Sequence, residues 1–442
     1  MHPRNPYRTP PDFVSLAESY SPLREHLIES AGGGVTINYK DEAAQRRLTE
    51  ALMHRDFGLS LRIPEDRLCP PVPNRLNYVL WIQDILCATS DNSDDPVRGI
   101  DIGTGASAIY VLLACSLSPS WQLIGTDVDD ISLRCALENV QRNGLSDRTH
   151  IMRASPDGPT LVPLAMDSTK SFDFVMCNPP FYSSAADVAR SADTKTLGPN
   201  AVCTGADVEM ITEGGESAFV CKMVRESVEF RERCRWYTSM LGKLSSLTEV
   251  VALLRSRSID NYAITEFVQG QTRRWAIGWS FSDARLPDAL ARIPNPTLQS
   301  LMPPRTTLRQ HLPRTPQLDL LRATLASIPH LRATPVPDAP PPTFLVSAPA
   351  NTWSRAARRK RPSATPEAPM DVEAAGAAGA AEAKRESAGG ERAPFMVCRA
   401  CVAQDDEGAA VSFVWVRGRD RAAFEGFASH VGRKMRDATM AR

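Results

Sequence analysis

Residues 172–182 read Phe172-Asp173-Phe174-Val175-Met176-Cys177-Asn178-Pro179-Pro180-Phe181-Tyr182. Phe172 to Cys177 is apolar apart from Asp173, with aromatic and β-branched members and no breaker, which is the pattern of a buried strand. Asn178-Pro179-Pro180 ends it, because proline has no N–H for a ladder and restricts the residue before it. A stiff corner results at the carboxyl end of a strand, followed by two aromatics. In open α/β sheets ligands bind at that end.

The chemistry that suits this corner is methyl transfer to a planar amine. Adenine's exocyclic amine has its lone pair delocalised into the ring, so it is a poor nucleophile. Two adjacent acceptors, the Asn178 carboxamide oxygen and the Pro179 carbonyl, match its two N–H bonds. Drawing the amine toward tetrahedral geometry frees the lone pair, and Phe181 is placed to stack on the base. No general base with a tuned pKa is needed first. Taken alone, the same residues also read as a plain strand-ending turn, so the corner needs a cofactor site upstream.

Upstream stands Gly99-Ile100-Asp101-Ile102-Gly103-Thr104-Gly105-Ala106-Ser107, a short apolar strand, a glycine turn and then an apolar helix from Ile109 to Leu117. Glycines admit a ligand close to the backbone, and a helix N-terminus favours negative groups. A second strand, Trp121 to Asp127, ends in an acid at the distance where one accepts from ribose hydroxyls. Asp129 and Asp130 compete for that role but fall where the next helix starts and suit capping. A third strand, Thr149 to Arg153, and a loop carrying Thr160 lead to the Phe172 strand. The alternation predicts a doubly wound α/β sheet. A dinucleotide-binding oxidoreductase would share the first half but has no use for the NPPFY corner.

The rest of the chain bounds the answer. Its 442 residues carry no net charge, so nucleic acid would be met by a local basic groove. The ten cysteines are scattered and read as reduced thiols of an intracellular protein. Cys398 and Cys401 form a lone CxxC, which reads as two strand cysteines and no zinc site. No segment reads as a secretory signal or a membrane span.

Before the sheet, Phe13 to Tyr20 and Asp41 to Phe57 read as helices. Arg4, Arg8, Lys40, Arg46, Arg47, Arg55, Arg62 and Arg67 make this region either phosphate-facing or a solvated cap. Arg75 opens the next helix, where a guanidinium suits a carboxylate. Ser183 to Gly215 reads as a long polar loop. Glu216 to Leu241 reads as mainly helix, its cations interleaved with Trp236 and Tyr237, either an RNA-facing surface or an ordinary helix face. Glu249 to Leu254 reads as a strand, as does Arg273 to Phe281. Ser282 to Pro342 is Pro-rich with one helix, and Thr343 to Ser347 reads as a final strand. The basic run with Arg355, Arg358, Arg359, Lys360 and Arg361 reads as phosphate contact, nuclear import signal or both. Pro362 to Glu391 reads as a disordered linker, and a strand-strand-helix piece comes after it.

Together NPYRTPPDF, RLNYVLWIQDIL, GIDIGTGASAIY, GTDVDD, CNPPFY, ITEGGESAFV, RWYTSMLGK and RRWAIGWSF resemble the methyltransferase-like protein 16 family across most of residues 1 to 281. DRAAFEGFASHVGRK, Asp420 to Lys434, is similar to the family's RNA-binding vertebrate region. The resemblance implies a class I, Rossmann-like methyltransferase fold using S-adenosyl-L-methionine, with an N-terminal helical RNA-binding module and a small C-terminal α+β domain. The expected divisions are 1–72 for the module, 73–361 for the methyltransferase domain, 362–392 for the linker and 393–442 for the C-terminal domain.

The implied cofactor positions are Arg75, Gly103, Ser107, Asp127, Thr160 and Asn178, with Asn178, Pro179, Pro180 and Phe181 as the catalytic motif and no metal. Asp127 stands where the family usually has glutamate, and the stretch after Tyr182 corresponds to a loop that can block the family's cofactor pocket. The implied partner is structured RNA, U6 small nuclear RNA first, with no membrane; the implied compartment is the nucleus, with the cytoplasm second. Ribosomal RNA as substrate, an RNA-binding protein with an inactive methyltransferase fold, and glutamine methylation in protein are the rival readings.

Overall fold

The structure, a computed structural model, describes all residues except 31, 91–94, 189–204, 270–271, 315–316, 355–356, 358–392, 406–407 and 441–442. The basic run around Arg358 to Arg361 and the expected linker therefore lie outside the described residues. The chain forms two compact units, Met1–Ser282 with Ala289–Pro304 and Asp283–Asp288 with Arg305–Arg442.

The first unit opens with α1 (Phe13–Ser19), whose Asp12 side chain accepts the amides of Val14 and Ser15 as an N-cap. Two three-residue strands come next, β1 (Leu27–Glu29) and β2 (Val35–Ile37), an antiparallel pair where no sheet was expected. After them stand α2 (Glu42–Phe57), stopped by Gly58 in the left-handed region, and α3 (Val72–Thr89). The sequence places residues 1–72 in a module of their own, but they cluster with the helices and sheet of residues 73–282: Tyr7, Leu16, Leu23 and Met53 are buried in the same unit.

The central layer is built from β3 (Arg98–Ile102), α4 (Ile109–Leu117), β4 (Gln122–Asp127), α5 (Asp130–Arg142), β5 (Thr149–Arg153), α6 (Val162–Met166) and β6 (Phe172–Cys177). It continues through α7 (Gly215–Phe230), β7 (Cys234–Leu241), α8 (Leu244–Ser256), β8 (Tyr262–Gln269) and β9 (Thr272–Trp279). The seven strands lie in the order β5-β4-β3-β6-β7-β9-β8. The pairs from β5 to β7 are parallel, and β9 is antiparallel to both β7 and β8. Because helices cover the faces, the central strands are buried almost throughout; Phe174, Val175, Trp236 and Tyr237 are at most 1 % exposed.

Two elements differ from expectation here. Residues 234–241, expected as the end of a helix, are β7, and Trp236 and Tyr237 lie in the core. A strand buried on both faces shows no period by which to tell it from a helix. Glu249 to Leu254, expected as a strand, lies inside α8, where Leu247, Val250, Val251 and Leu254 form one buried helical face despite the β-branched pair.

The second unit is a five-stranded antiparallel sheet of order β10-β14-β13-β12-β11, comprising β10 (Thr307–His311), β11 (Arg332–Val336), β12 (Thr343–Ala348), β13 (Met396–Asp405) and β14 (Gly408–Gly418). Helices α9 (Leu318–Ala326) and α10 (Arg421–Met440) supply Leu321, Leu325, Phe424 and Phe427 to a core shared with Phe344, Val346 and Phe413. The expected boundary at 361 is thereby moved. Thr343 to Ser347 pairs with β13, as Ser347 with Val397, and so belongs to this sheet and not to the first. The reason is burial: β13, β14 and one helix expose more apolar face than they can cover, and residues from 305 onward close it. Cys398 and Cys401 both lie on β13, the first fully buried and the second half-buried on the other face. Among the described residues no helix is long and apolar enough to cross a membrane, and no group of three or more His, Cys, Asp and Glu side chains gathers as a metal site.

Candidate functional site: a glycine-turn cavity and the Asn178 corner

The strand order of the first sheet changes direction between β3 and β6, and in such sheets a crevice opens at the carboxyl ends of those strands. Gly103 and Gly105, which leave β3, have φ of +69° and +65°, a backbone that side chains other than glycine resist. The amides of Gly103 and Thr104 both donate to the Thr126 carbonyl at 2.9 Å, which pins the turn to β4. A cavity of about 590 Å³ lies against this turn. Arg75, Gly103, Ser107, Asp127, Thr160, Asn178, Pro179 and Pro180 all line it, although they span more than 100 positions of sequence.

Each polar member is held differently. Asp127, last residue of β4, accepts the Gly105 amide on Oδ2 at 2.9 Å and the Val128 and Asp129 amides on Oδ1 at 2.8 and 3.0 Å. Burial pushes its carboxyl pKa up, and those amide bonds oppose the rise. Asp129 instead caps α5 through the Ser132 amide and takes the Arg67 guanidinium at 3.0 Å, so it serves structure. Arg75, 8 % exposed in the first turn of α3, has its guanidinium 5.6 Å from the centre of the Tyr110 ring. The Thr160 hydroxyl donates to Glu226 at 2.7 Å, which fixes the loop after β5 against α7.

Asn178 has a chemical feature that asks for a ligand. Its Oδ1 is buried and has no hydrogen-bond partner. Leaving such an acceptor unmade costs about 1–3 kcal/mol, so a buried orphan in a cavity wall calls for a donor that arrives there. Beneath the turn, Asp101 is wholly buried, accepts the Thr104 hydroxyl at 2.8 Å, and is pushed by burial up to about 7.

Phe181 is the exception among the expected residues. It does not line the cavity; its ring lies under the Arg274 guanidinium at 5.3 Å and against Gly242, where a Cβ would stand 3.0 Å from Cδ1. Glu209 and Tyr110 line the cavity without having been singled out from sequence. Glu209 accepts the Leu68 and Ala206 amides, each at 2.9 Å, and burial raises its pKa. Its place depends on a parallel bridge between Tyr182 and Ile211, in which the Tyr182 amide meets the Met210 carbonyl and the Thr212 amide meets the Tyr182 carbonyl, a contact without local signature. Tyr110 is hidden inside an apolar helix run.

Several basic residues read as either RNA-facing or part of an ordinary helix face or cap are engaged inside the unit. Lys222 donates to the Gly158 carbonyl, Arg235 pairs with Asp173, and Arg233 holds the Leu164 and Lys170 carbonyls. In the N-terminal region Arg4 pairs with Asp84, Arg47 with Glu50, and Arg55 with Asp56.

The glycine turn, the acid at the end of β4 and the Asn-Pro-Pro corner now stand around one space. Residues 1–283 match the profile of a family described as RNA methyltransferase. The chain belongs to that family. One relative is the RNA N(6)-adenosine-methyltransferase mettl16 of Xenopus laevis, 40% identical over 299 residues that make up 67% of this chain and 53% of that protein. The chain thus spans about half the length of the vertebrate relatives it matches. Another is the U6 small nuclear RNA (adenine-(43)-N(6))-methyltransferase of Schizosaccharomyces pombe, 34% identical over 419 residues, 93% of this chain and 98% of that one.

Among solved structures, the human METTL16 catalytic domain in complex with the MAT2A 3'UTR hairpin 1 is 41% identical, with a TM-score of 0.59, over 64% of this chain and 96% of that one. The N-terminal domain of human METTL16 in complex with SAH is 39% identical, with a TM-score of 0.54, over 64% and 99%. The first unit therefore has the Rossmann-like methyltransferase fold that the motifs imply.

Proposed function

We propose that the protein is an S-adenosyl-L-methionine-dependent RNA methyltransferase that modifies the exocyclic N6 amine of an unpaired adenine, with U6 small nuclear RNA as substrate. The observation that carries the reading is the buried, partnerless Asn178 Oδ1 in the wall of a cavity that also holds the glycine turn and Asp127. The residues present fit the cofactor: Asp127 would accept from ribose hydroxyls, Arg75 would hold a carboxylate, and the Gly103 backbone would admit close approach. The relative in Schizosaccharomyces pombe, matched over nearly its whole length, supports U6 as the RNA, and with it the nucleus as compartment.

When bound, the cofactor supplies an electrophilic methyl on a sulfonium. Asn178 Oδ1 and the Pro179 carbonyl would accept hydrogen bonds from the two N6 hydrogens, which draws the lone pair out of conjugation with the ring and aims it. Pro180 holds the corner rigid. As the N–CH3 bond forms and the S–CH3 bond breaks to leave a thioether, the nitrogen gains a positive charge and then gives one proton to solvent water, so no base needs a tuned pKa beforehand. The adenine must be extruded or single-stranded to reach the corner. Incubation of the full chain with labelled cofactor and total RNA tests this. Label is expected in N6-methyladenosine of U6 RNA; label in ribosomal RNA alone would move the substrate, and none in RNA would remove the reading.

A further inference from the structure

Tyr78, on α3, is wholly buried and carries a hydroxyl whose bonds all point one way. The Cys177 amide donates to Tyr78 Oη at 3.3 Å. Tyr78 Oη lies 2.7 Å from Thr238 Oγ1, and Thr238 Oγ1 donates to the Val175 carbonyl at 2.8 Å. Because the threonine proton is used on Val175, Tyr78 must donate to Thr238. The result is a closed circuit that leaves β6 at Cys177, passes through α3 and β7, and returns to β6 at Val175.

The circuit sits where the β6–β7 pairing stops. Paired residues run from Phe172 with Cys234 to Val175 with Tyr237 and no further, while β6 stays paired with β3 as far as Cys177 with Ile102. Side-chain hydroxyls thus replace ladder bonds over the last residues before Asn178. They tie the strand to its neighbour while leaving the corner clear of the β7 backbone. The same helix carries Arg75 one turn earlier. The Arg75 guanidinium lies over Tyr110, whose ring meets that of Tyr78 edge-on at 5.6 Å. One rigid helix therefore touches both the cofactor wall and the backbone of the acceptor corner.

From this we infer that Tyr78 and Thr238 are positioning residues for the Asn178-Pro179 corner. Their hydroxyl circuit fixes the Cys177 peptide and so the direction of Asn178 Oδ1 and the Pro179 carbonyl. The inference rests on the proposed role of those two acceptors in methyl transfer. Neither Tyr78 nor Thr238 lines the cavity. Their removal acts on the rate of transfer and not on binding.

The test uses the full chain and three variants, Tyr78→Phe, Thr238→Val and Thr238→Ser. Tyr78→Phe and Thr238→Val are expected to lower kcat roughly ten- to hundredfold, the scale of a small misplacement of reacting groups. KM for RNA and cofactor Kd should stay within about twofold, as for a loss confined to the transition state. Thr238→Ser should recover most of the rate lost in Thr238→Val. Unchanged kcat in both hydroxyl-free variants would overturn the inference. So would a rate loss matched by the loss of folded protein, or equal damage from serine and valine. Hydrogen exchange of the Cys177 amide, read by mass spectrometry on the free protein, gives a readout without catalysis. Faster exchange in Tyr78→Phe supports the circuit, and unchanged exchange contradicts it. If the wild-type protein transfers no methyl to RNA, the functional reading fails and exchange alone decides the circuit.

Discussion

The two sheets of this protein use their strands in opposite ways. In the first, β3, β4 and β6 run parallel between helices, and the cavity residues Gly103, Asp127 and Asn178 stand just at or past their carboxyl ends. In the second, every pair is antiparallel and β12 alternates, with Phe344 and Val346 in the core and Leu345 on the other face. A parallel sheet gathers all its strand exits along one edge, which is where a ligand site can be assembled. An antiparallel sheet splits its exits between two edges and offers a face instead. The cavity residues come from the first unit alone, so substitutions in the two units should separate chemistry from stability.

The largest expected effect tests that separation at Asn178. Asn178→Ala should lower transfer by about a thousandfold or more while RNA affinity stays within about twofold, since the lost contacts are made in the transition state. Equal loss of both would assign Asn178 to binding. Next is Asp127→Ala, which strips three backbone amides of their acceptor; cofactor Kd should rise roughly 10- to 100-fold by calorimetry, about 1.4 kcal/mol per factor of ten. In the other sheet, Phe413→Ala should cost about 3–5 kcal/mol in denaturant unfolding of the second unit, as for a buried aromatic. Cofactor affinity should remain within about twofold, because Phe413 belongs to the second unit and the cavity residues all come from the first. A matching loss of cofactor affinity would erase the contrast between the units.

The smallest effect concerns Asp101. Its folded pKa is raised by burial from 3.8 to about 7. Between those values the folded protein keeps a proton that the unfolded chain has lost. The stabilisation from this group is complete below the lower value and disappears as pH rises through the upper one. Asp101→Asn should remove that slope, so its thermal midpoint should gain on the wild type by a few degrees between about pH 5.5 and about pH 8. Parallel curves would place the Asp101 charge elsewhere.

Sequence and structure agree on placement where the signal lies beside the residue, as for Asn178, Gly103 and Asp127, which line one cavity. Asn178 follows a breaker-free strand and precedes two prolines; Gly103 and Asp127 each end an apolar run. Such signals are local and survive without a fold. Phe181 carried the same signal, yet its ring is held between Gly242 and Arg274, outside the cavity lining, by neighbours more than 60 positions away. Glu209, Tyr110 and Tyr78 escaped notice because their surroundings come from distant segments. β7 was misread since burial on both faces erases periodicity. The domain boundary expected at 361 separates β12 from its partner β13, about 50 residues downstream, since register over such a span has no local trace.

The central claim is that the Asn178 corner acts on an exocyclic amine, and an acceptor analogue tests it most directly. The full chain is given labelled cofactor with U6 RNA carrying adenosine, or purine riboside without the amine, at the acceptor position. Label in N6-methyladenosine from the first RNA and none from the second is the predicted result. Equal labelling of both RNAs, or label elsewhere on the nucleoside, would contradict the account.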